Sequence, residues 1–313
     1  MKTNKKMWLV LIITFAFFAI SSCSHDEDDI IKVDETLDNL KNIGILDKGN
    51  GIRIYGVGNY SLLGFNYSGE GLLMSVDDVN YYPRIDRYDF YKCLSFTYFP
   101  NIIMDDDEKR TVTYTKEGYI SKVNSKLFDD GESTEYTVTY SYDVDGHLIS
   151  CVTQGTYKGF SEDFGEYFDS NFNIKITITW DNNRLVRCNN IESVFNGSSM
   201  LMQRTKDVLF EYDLVNTEKY NNKYCQWPFS FVGIHDFSLS HDLSLYGLTY
   251  VGMFGRGPSY LPAGITIKEK DENGVERSSN MVYRYVFNEN GTISRFYYNT
   301  SYDDFYYSPL PKE

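Results

Sequence analysis

Hydrophobic and polar positions alternate through much of the chain. Val138, Tyr140 and Tyr142 occupy one side of a period-two pattern, and Thr137, Thr139 and Ser141 the other. Ile176, Ile178 and Trp180 alternate with Lys175, Thr177 and Thr179 in the same way. Successive side chains of a strand point to opposite faces, so these runs predict strands with one buried face. Each run leads into a repeated unit: an aromatic, a glycine or asparagine turn, an aliphatic residue, then an apolar residue three places on. The copies are Tyr67-Gly71-Leu73-Val76, Tyr114-Gly118-Ile120-Val123, Tyr142-Gly146-Leu148-Cys151, Trp180-Asn183-Leu185-Cys188 and Phe287-Gly291-Ile293-Phe296. A sixth start, Tyr212 to Asn216, is degenerate because Glu218 fills the aliphatic position.

Each unit predicts a β-hairpin. Asp, Asn and Gly supply the positive φ that tight hairpin turns require. The spacing of three after the turn, where two is regular, predicts a bulge in the returning strand. The pitch between copies is irregular, which excludes a solenoid of fixed period. The expected fold is mainly β: a single antiparallel meander of hairpins forming a curved sheet or half-barrel, with one or two short helices covering it. An apolar sheet face must be covered. Val33, Leu37, Leu40 and Ile43 at helical spacing, followed by Gly44, predict one covering helix. Leu243, Leu248 and Val251 within 240–254 predict a second, stopped by Gly255-Arg256-Gly257-Pro258.

The first 22 residues stand apart from this pattern. Lys2, Lys5 and Lys6 precede the apolar run Trp8–Ile20, which is too short to span a bilayer and fits the core of a signal peptide. The run ends in Ile20-Ser21-Ser22-Cys23, which resembles a bacterial lipobox and implies Cys23 as the lipid-attachment residue. Ser24-His25-Asp26-Glu27-Asp28-Asp29 follows as an acidic, solvated tether. The expected organisation is therefore a lipoprotein signal peptide over 1–22, then lipidated cysteine, tether and short helix over 23–50. A β-rich extracytoplasmic domain occupies 51–313. The expected location is the outer membrane, lipid-anchored and facing the cell surface, with the periplasmic face as the alternative.

Charge narrows the partners. Loss of the leader leaves 27 basic against 44 acidic residues, a net charge of −17. Nucleic-acid binding would call for a basic stripe instead. Of five cysteines, Cys93, Cys151, Cys188 and Cys225 remain beside Cys23. They form no CxxC pair and are expected to be mostly buried free thiols.

Candidate chemistry is sparse. His235-Asp236 and His241-Asp242 repeat a dipeptide six residues apart, and on a strand both histidines would share a face. They are weak zinc candidates beside the simpler reading of turn and cap residues. Asp143-Val144-Asp145-Gly146 and Asn288-Glu289-Asn290-Gly291 lack the order of a calcium-binding hand, leaving only a weak surface calcium site. His147, one place after a turn glycine, is expected to be exposed. No nucleophile elbow, phosphate loop, dinucleotide fingerprint or HExxH is present, so no catalytic residue is assigned. The 28 Tyr and 21 Phe include the doublets Tyr81-Tyr82 and Tyr297-Tyr298 and the triplet Phe305-Tyr306-Tyr307. Neighbours in a strand point to opposite faces, so some tyrosines must face water, where aromatics stack on sugars and anchor interfaces.

The hairpins resemble the YD-type repeats of Rhs proteins, with Tyr142-Asp143 and Gly146-His147-Leu148 the closest match. A closer resemblance covers about residues 110–300. It rests on the lipobox with its acidic tether, the hairpin series, and Gly252-Met253-Phe254-Gly255-Arg256-Gly257 with Leu261-Pro262 before the closing hairpin. It is to an uncharacterised family of Bacteroidetes lipoproteins carrying domain of unknown function 4595. That resemblance implies a β-rich extracytoplasmic domain and no activity. The expected function is a binding module for a glycan or peptide, without catalysis or cofactor. A structural or assembly partner of envelope proteins is the alternative, and a hydrolase the third reading.

Overall fold

The computed structural model describes residues 38–47, 51–58, 61–82, 87–97, 102–104, 109–129, 132–161, 166–215, 217–228 and 247–309. Seventeen strands form one antiparallel sheet. They are β1 (Ile45–Asp47), β2 (Ile52–Gly58), β3 (Ser61–Tyr67), β4 (Leu73–Tyr82), β5 (Arg87–Thr97), β6 (Ile102–Met104), β7 (Lys109–Tyr114), β8 (Ile120–Asp129) and β9 (Glu132–Tyr142). There follow β10 (Leu148–Ser161), β11 (Glu166–Asp181), β12 (Arg184–Asn196), β13 (Ser199–Glu211), β14 (Gly264–Lys270), β15 (Glu276–Phe287), β16 (Ile293–Tyr298) and β17 (Ser301–Pro309). From β2 onward each strand pairs with its successor, as the meander predicts. The sheet curves far enough for β17 to pair with β2, Phe305 opposite Val57. The expected curved meander is thus present, and neither β2 nor β17 presents a bare edge.

The predicted bulges fall at the same place in all five hairpins. Tyr67 pairs with Leu73 and Asn66 with Ser75, so Met74 is the extra residue. Ser121, Ile149, Val186 and Ser294 are skipped in the same way. The bulge turns both the aliphatic residue and the residue three places on inward. Leu73 and Val76, Ile120 and Val123, Leu148 and Cys151, Leu185 and Cys188, and Ile293 and Phe296 are all buried. Gly71, Gly118, Gly146 and Gly291 take φ of 83–90°, and Asn182 and Asn183 take 49° and 59°, the left-handed region that these turns need.

The bulge also lets a side chain reach the carbonyl of the aliphatic residue. Tyr142 Oη donates to Ile120 O at 2.6 Å, Trp180 Nε1 to Leu148 O at 2.8 Å and Tyr212 Oη to Leu185 O at 2.8 Å. Tyr307 Oη donates to Ile293 O, and Tyr67 Oη donates to Ile54 O at 3.0 Å. Each aromatic therefore ties its hairpin to the preceding one and satisfies a main-chain acceptor. Burial drives the phenols of Tyr67, Tyr142, Tyr212 and Tyr307 well above the usual tyrosine range, so they remain protonated donors.

Apolar residues fill the inside and polar residues face out along the best-defined wall. On β11, Phe172, Ile174, Ile176 and Ile178 are buried, while Asn171, Lys175, Thr177 and Thr179 are exposed. A membrane-spanning barrel has the opposite order, apolar outside and polar within. Among the described residues no helix is long and apolar enough to cross a membrane. Farther from the turns, the interior becomes polar: Arg110, Ser125, Asn190, Glu192 and Lys206 are all buried. Lys206 Nζ lies 3.1 Å from a carboxylate oxygen of Glu269.

The cover differs from expectation. The segment between β13 and β14 closes the turn end of the sheet without an α-helix over its described residues. It contains 3-10 turns at Thr217–Tyr220 and Gly247–Thr249, then irregular chain. Leu248 and Val251 are buried as the spacing predicts, but Gly252 and Gly255 take φ of 80° and 86°, which breaks the helix. Residues 240–246, with Leu243, lie outside the described residues. The cover bonds to successive hairpins: Ile120 N to Met253 O, Arg256 N to Gly146 O, Ser259 N to Asn183 O and Tyr224 Oη to Asn290 O. Among the described residues Trp227 is the largest fully buried side chain, and its Nε1 donates to Gly255 O at 3.0 Å. The degenerate sixth hairpin also has its reason: the chain leaves the sheet after Tyr212, and Glu218 lies in the first 3-10 turn. At the N-terminal side, residues 38–40 are helical and Gly44 has φ 75°, in keeping with the predicted cap. Val33 and Leu37 lie outside the described residues.

Candidate functional site

The doublet argument predicts tyrosines on both faces of the closing strands, and the structure places them so. Phe305 is buried and Tyr307 packs against the core, while Tyr306 between them is 37% exposed. Tyr298 packs inward and Tyr297 lies on the outward row. Tyr297 sits opposite Tyr302, ring centroids 5.7 Å apart. A bulge between Tyr306 and Tyr307 skips Tyr55 on β2 and leaves it 42% exposed, 6.1 Å from the Tyr306 ring. Val282 and Val286, 62% and 47% exposed, extend this outward surface across β15.

Two arginines hold the rings. Arg295 lies over Tyr302 at 4.1 Å and over Tyr297 at 5.7 Å, and Arg284 lies over Tyr297 at 5.1 Å. Arg295 is forked onto Asp304, with Nη2 at 2.9 Å from Oδ2 and Nε on Oδ1. The hydrogen bonds that Arg295 donates to Asp304 and to Tyr297 push its guanidinium above the usual range, so its charge is permanent. The result is a platform across β15, β16, β17 and β2 in which aromatic faces alternate with fixed donors and acceptors. Stacked guanidinium groups and a bidentate ion pair restrict the rings' rotamers, which lowers the ordering cost of binding.

The inward neighbour Asp303 is strained electrostatically. Burial, then the nearby charge of Asp304, pushes its carboxyl from 3.8 up to about 6. Below pH ~4 the group is protonated both folded and unfolded and carries no penalty; folding loses stability as pH rises through about 6. Asp303→Asn is therefore expected to raise stability by about 1 kcal/mol at pH 8, discounted for partial exposure, and to leave it unchanged at pH 3.5. Urea unfolding at the two pH values checks this.

The other predicted site residues fall elsewhere. Cys23, and His235, Asp236, His241 and Asp242, lie outside the described residues. Cys151 and Cys188 are buried free thiols, as expected, and burial pushes Cys151 up to about 12. Cys225 is also free but only half-buried, and Cys93 lies on β5 with its side chain outside the description. His147 corrects an expectation: it is 2% exposed, not at the surface. Its ring stacks on Trp180 at 4.2 Å, the anchoring aromatic of the next hairpin, and its Nδ1 lies 3.2 Å from Asp143 Oδ2. Asp143, Asp145 and His147 bring their ligand atoms within 4.8 Å of one another. Turn bonding already occupies Asp143: Oδ1 accepts from Asp145 N at 3.0 Å and from His147 N at 2.9 Å. Burial raises the Asp143 pKa, but these hydrogen bonds outweigh it and hold the carboxyl below the usual range.

Sequence reasoning missed a cleft at the turn end. It has a volume of ≈ 260 Å³ and lies between the N-terminal turn and the cover, with Tyr119, Tyr224, Trp227, Tyr250 and Arg256 among its walls. Nothing local marks it, because its walls come from four separate stretches of chain.

No family model matches the chain, and no curated protein matches it. Two solved structures are similar to it at 16% identity. One is a porin-like protein from Bacteroides vulgatus ATCC 8482, with a TM-score of 0.49 over 82% of this chain and 99% of that one. The other is a porin-like protein from Bacteroides uniformis ATCC 8492, with a TM-score of 0.48 over 81% of this chain and 94% of that one.

Proposed function

We propose that this chain is an outer-membrane lipoprotein, anchored through Cys23 and facing the cell surface, that binds neutral glycans without catalysis. The observation that carries the reading is the outward platform of Tyr55, Tyr297, Tyr302 and Tyr306 with Arg284 and Arg295 on its rings. Sugar C–H faces stack on aromatic rings, and hydroxyls bond to fixed donors and acceptors beside them. The Arg295 charge is already matched by Asp304, which suits an uncharged ligand. Peptide capture by strand addition needs a free sheet edge. The pairing of β2 with β17 removes the edge nearest the platform, and this favours glycan over peptide. The lipobox and acidic tether support the address. The hairpin series and the Gly252–Gly257 segment support membership of the lipoprotein family they resemble.

A thermal-shift panel of neutral polysaccharides on the full-length protein in detergent tests this. A glycan at about 100 times its Kd adds about 2.7 kcal/mol. The melting temperature is then expected to rise by several degrees, at about 2 °C per kcal/mol. Tyr297→Ala with Tyr302→Ala is expected to weaken that glycan about tenfold or more, each ring contributing about 0.5–1.5 kcal/mol. Equal shifts in the wild type and the double variant would show that the platform is not the site.

A further inference from the structure

A second, chemically different site lies at the turn end. The cleft there has an apolar back formed by Ile43, Trp227 and Val251, aromatic sides from Tyr119, Tyr224 and Tyr250, and Arg256 at its exposed rim. The other described arginines near carboxylates are paired with them: Arg187 with Asp207, Arg204 with Glu272, Arg277 with Asp271 and Arg295 with Asp304. Arg256 instead donates from Nη2 to a thiol, Cys225 Sγ, at 3.4 Å, and the charge of Asp145 acts on it without a direct ion pair. Sulfur is a weak acceptor, so most of the guanidinium fork is unspent. A planar fork of donors matches a carboxylate in two parallel hydrogen bonds, and it gains strength at a partly desolvated rim. A cleft of ≈ 260 Å³ is slightly below the size of drug-ligand pockets and suits a single ring.

We infer that this cleft binds a carboxylated monosaccharide of the uronic-acid class, its carboxylate on Arg256 and its ring against Tyr119 and Tyr250. This site is independent of the outward platform. Glu117 also lines the cleft, and its charge opposes such a ligand. The backbone of residue 256 holds Gly146 O whatever the side chain, so Arg256→Gln is expected to fold.

Among the described cysteines Cys225 is the accessible reporter, since Cys151 and Cys188 are buried, and Cys225→Ser separates its signal from that of Cys93. The experiment follows reaction of the full-length protein in detergent with a chromogenic disulfide, using Cys225→Ser to assign the signal. About 10 mM D-glucuronate is expected to slow Cys225 labelling about fivefold, by occupying the cleft. Glucose or acetate at the same concentration is expected to leave the rate unchanged. Arg256→Gln is expected to weaken glucuronate affinity about tenfold, so that the same concentration slows labelling only about 1.4-fold, and Glu117→Gln is expected to strengthen protection. Tyr297→Ala with Tyr302→Ala is expected to leave it intact, which separates this site from the platform. Glucuronate that fails to protect would overturn the inference, as would equal protection by glucose or acetate, or protection that survives Arg256→Gln.

Discussion

Trp227→Ala is expected to destabilise the protein by about 3–5 kcal/mol, the cost of removing a large buried aromatic and leaving a cavity. The indole is 1% exposed, stands 5.8 Å from the Trp180 ring, and donates to Gly255 O across the cover. Its loss removes packing and also leaves a buried main-chain acceptor unmatched. The melting temperature should fall by roughly 6–10 °C, at about 2 °C per kcal/mol. A fall of only a degree or two would mean that the cover is not part of the cooperative unit.

Gly255→Ala attacks the same joint from the other side. A Cβ at Gly255 would meet Gly146 O at 2.4 Å and the Tyr142 ring at 3.0 Å, and the residue has φ 86°. A non-glycine residue in the left-handed region costs about 1 kcal/mol or more, and the backbone clash adds to it. The total expected loss is about 2–4 kcal/mol. Neither neighbour can yield cheaply, because Gly146 anchors a hairpin turn and Tyr142 ties that hairpin to Ile120. Both substitutions loosen the same contact, so the double variant should lose less than the sum of the two, by about 0.5–3 kcal/mol. Strict additivity in urea unfolding would show that Trp227 and Gly255 hold the cover separately.

Local features of this fold were legible, and long-range ones were not. The spacing Leu148 to Cys151 predicts a bulge because only a skipped residue turns both inward, and the pairing skips Ile149. The triplet Phe305-Tyr306-Tyr307 predicts one outward ring, and Tyr306 is that ring. Its partner Tyr55 lies about 250 residues away, and no local pattern links them. The return of β17 to β2 is hidden for the same reason. The cover misled because Leu248 and Val251 keep helical spacing while Gly252 and Gly255 turn the backbone out of a helix. His147 misled because the position after a turn glycine is ordinarily wet; here the aromatic of the next hairpin, Trp180, lies over it. Lys206 and Glu192 are buried in the polar layer, and no local pattern marks them.

The outward platform is a direct claim about which tyrosines meet a ligand, and affinity electrophoresis tests it most directly. The full-length protein and its Tyr297→Ala/Tyr302→Ala variant would be run in detergent through gels containing each neutral polysaccharide. The account predicts that at least one polysaccharide retards the wild type and that the variant runs free in it. Retardation of both to the same extent, or of neither in any gel, would contradict it.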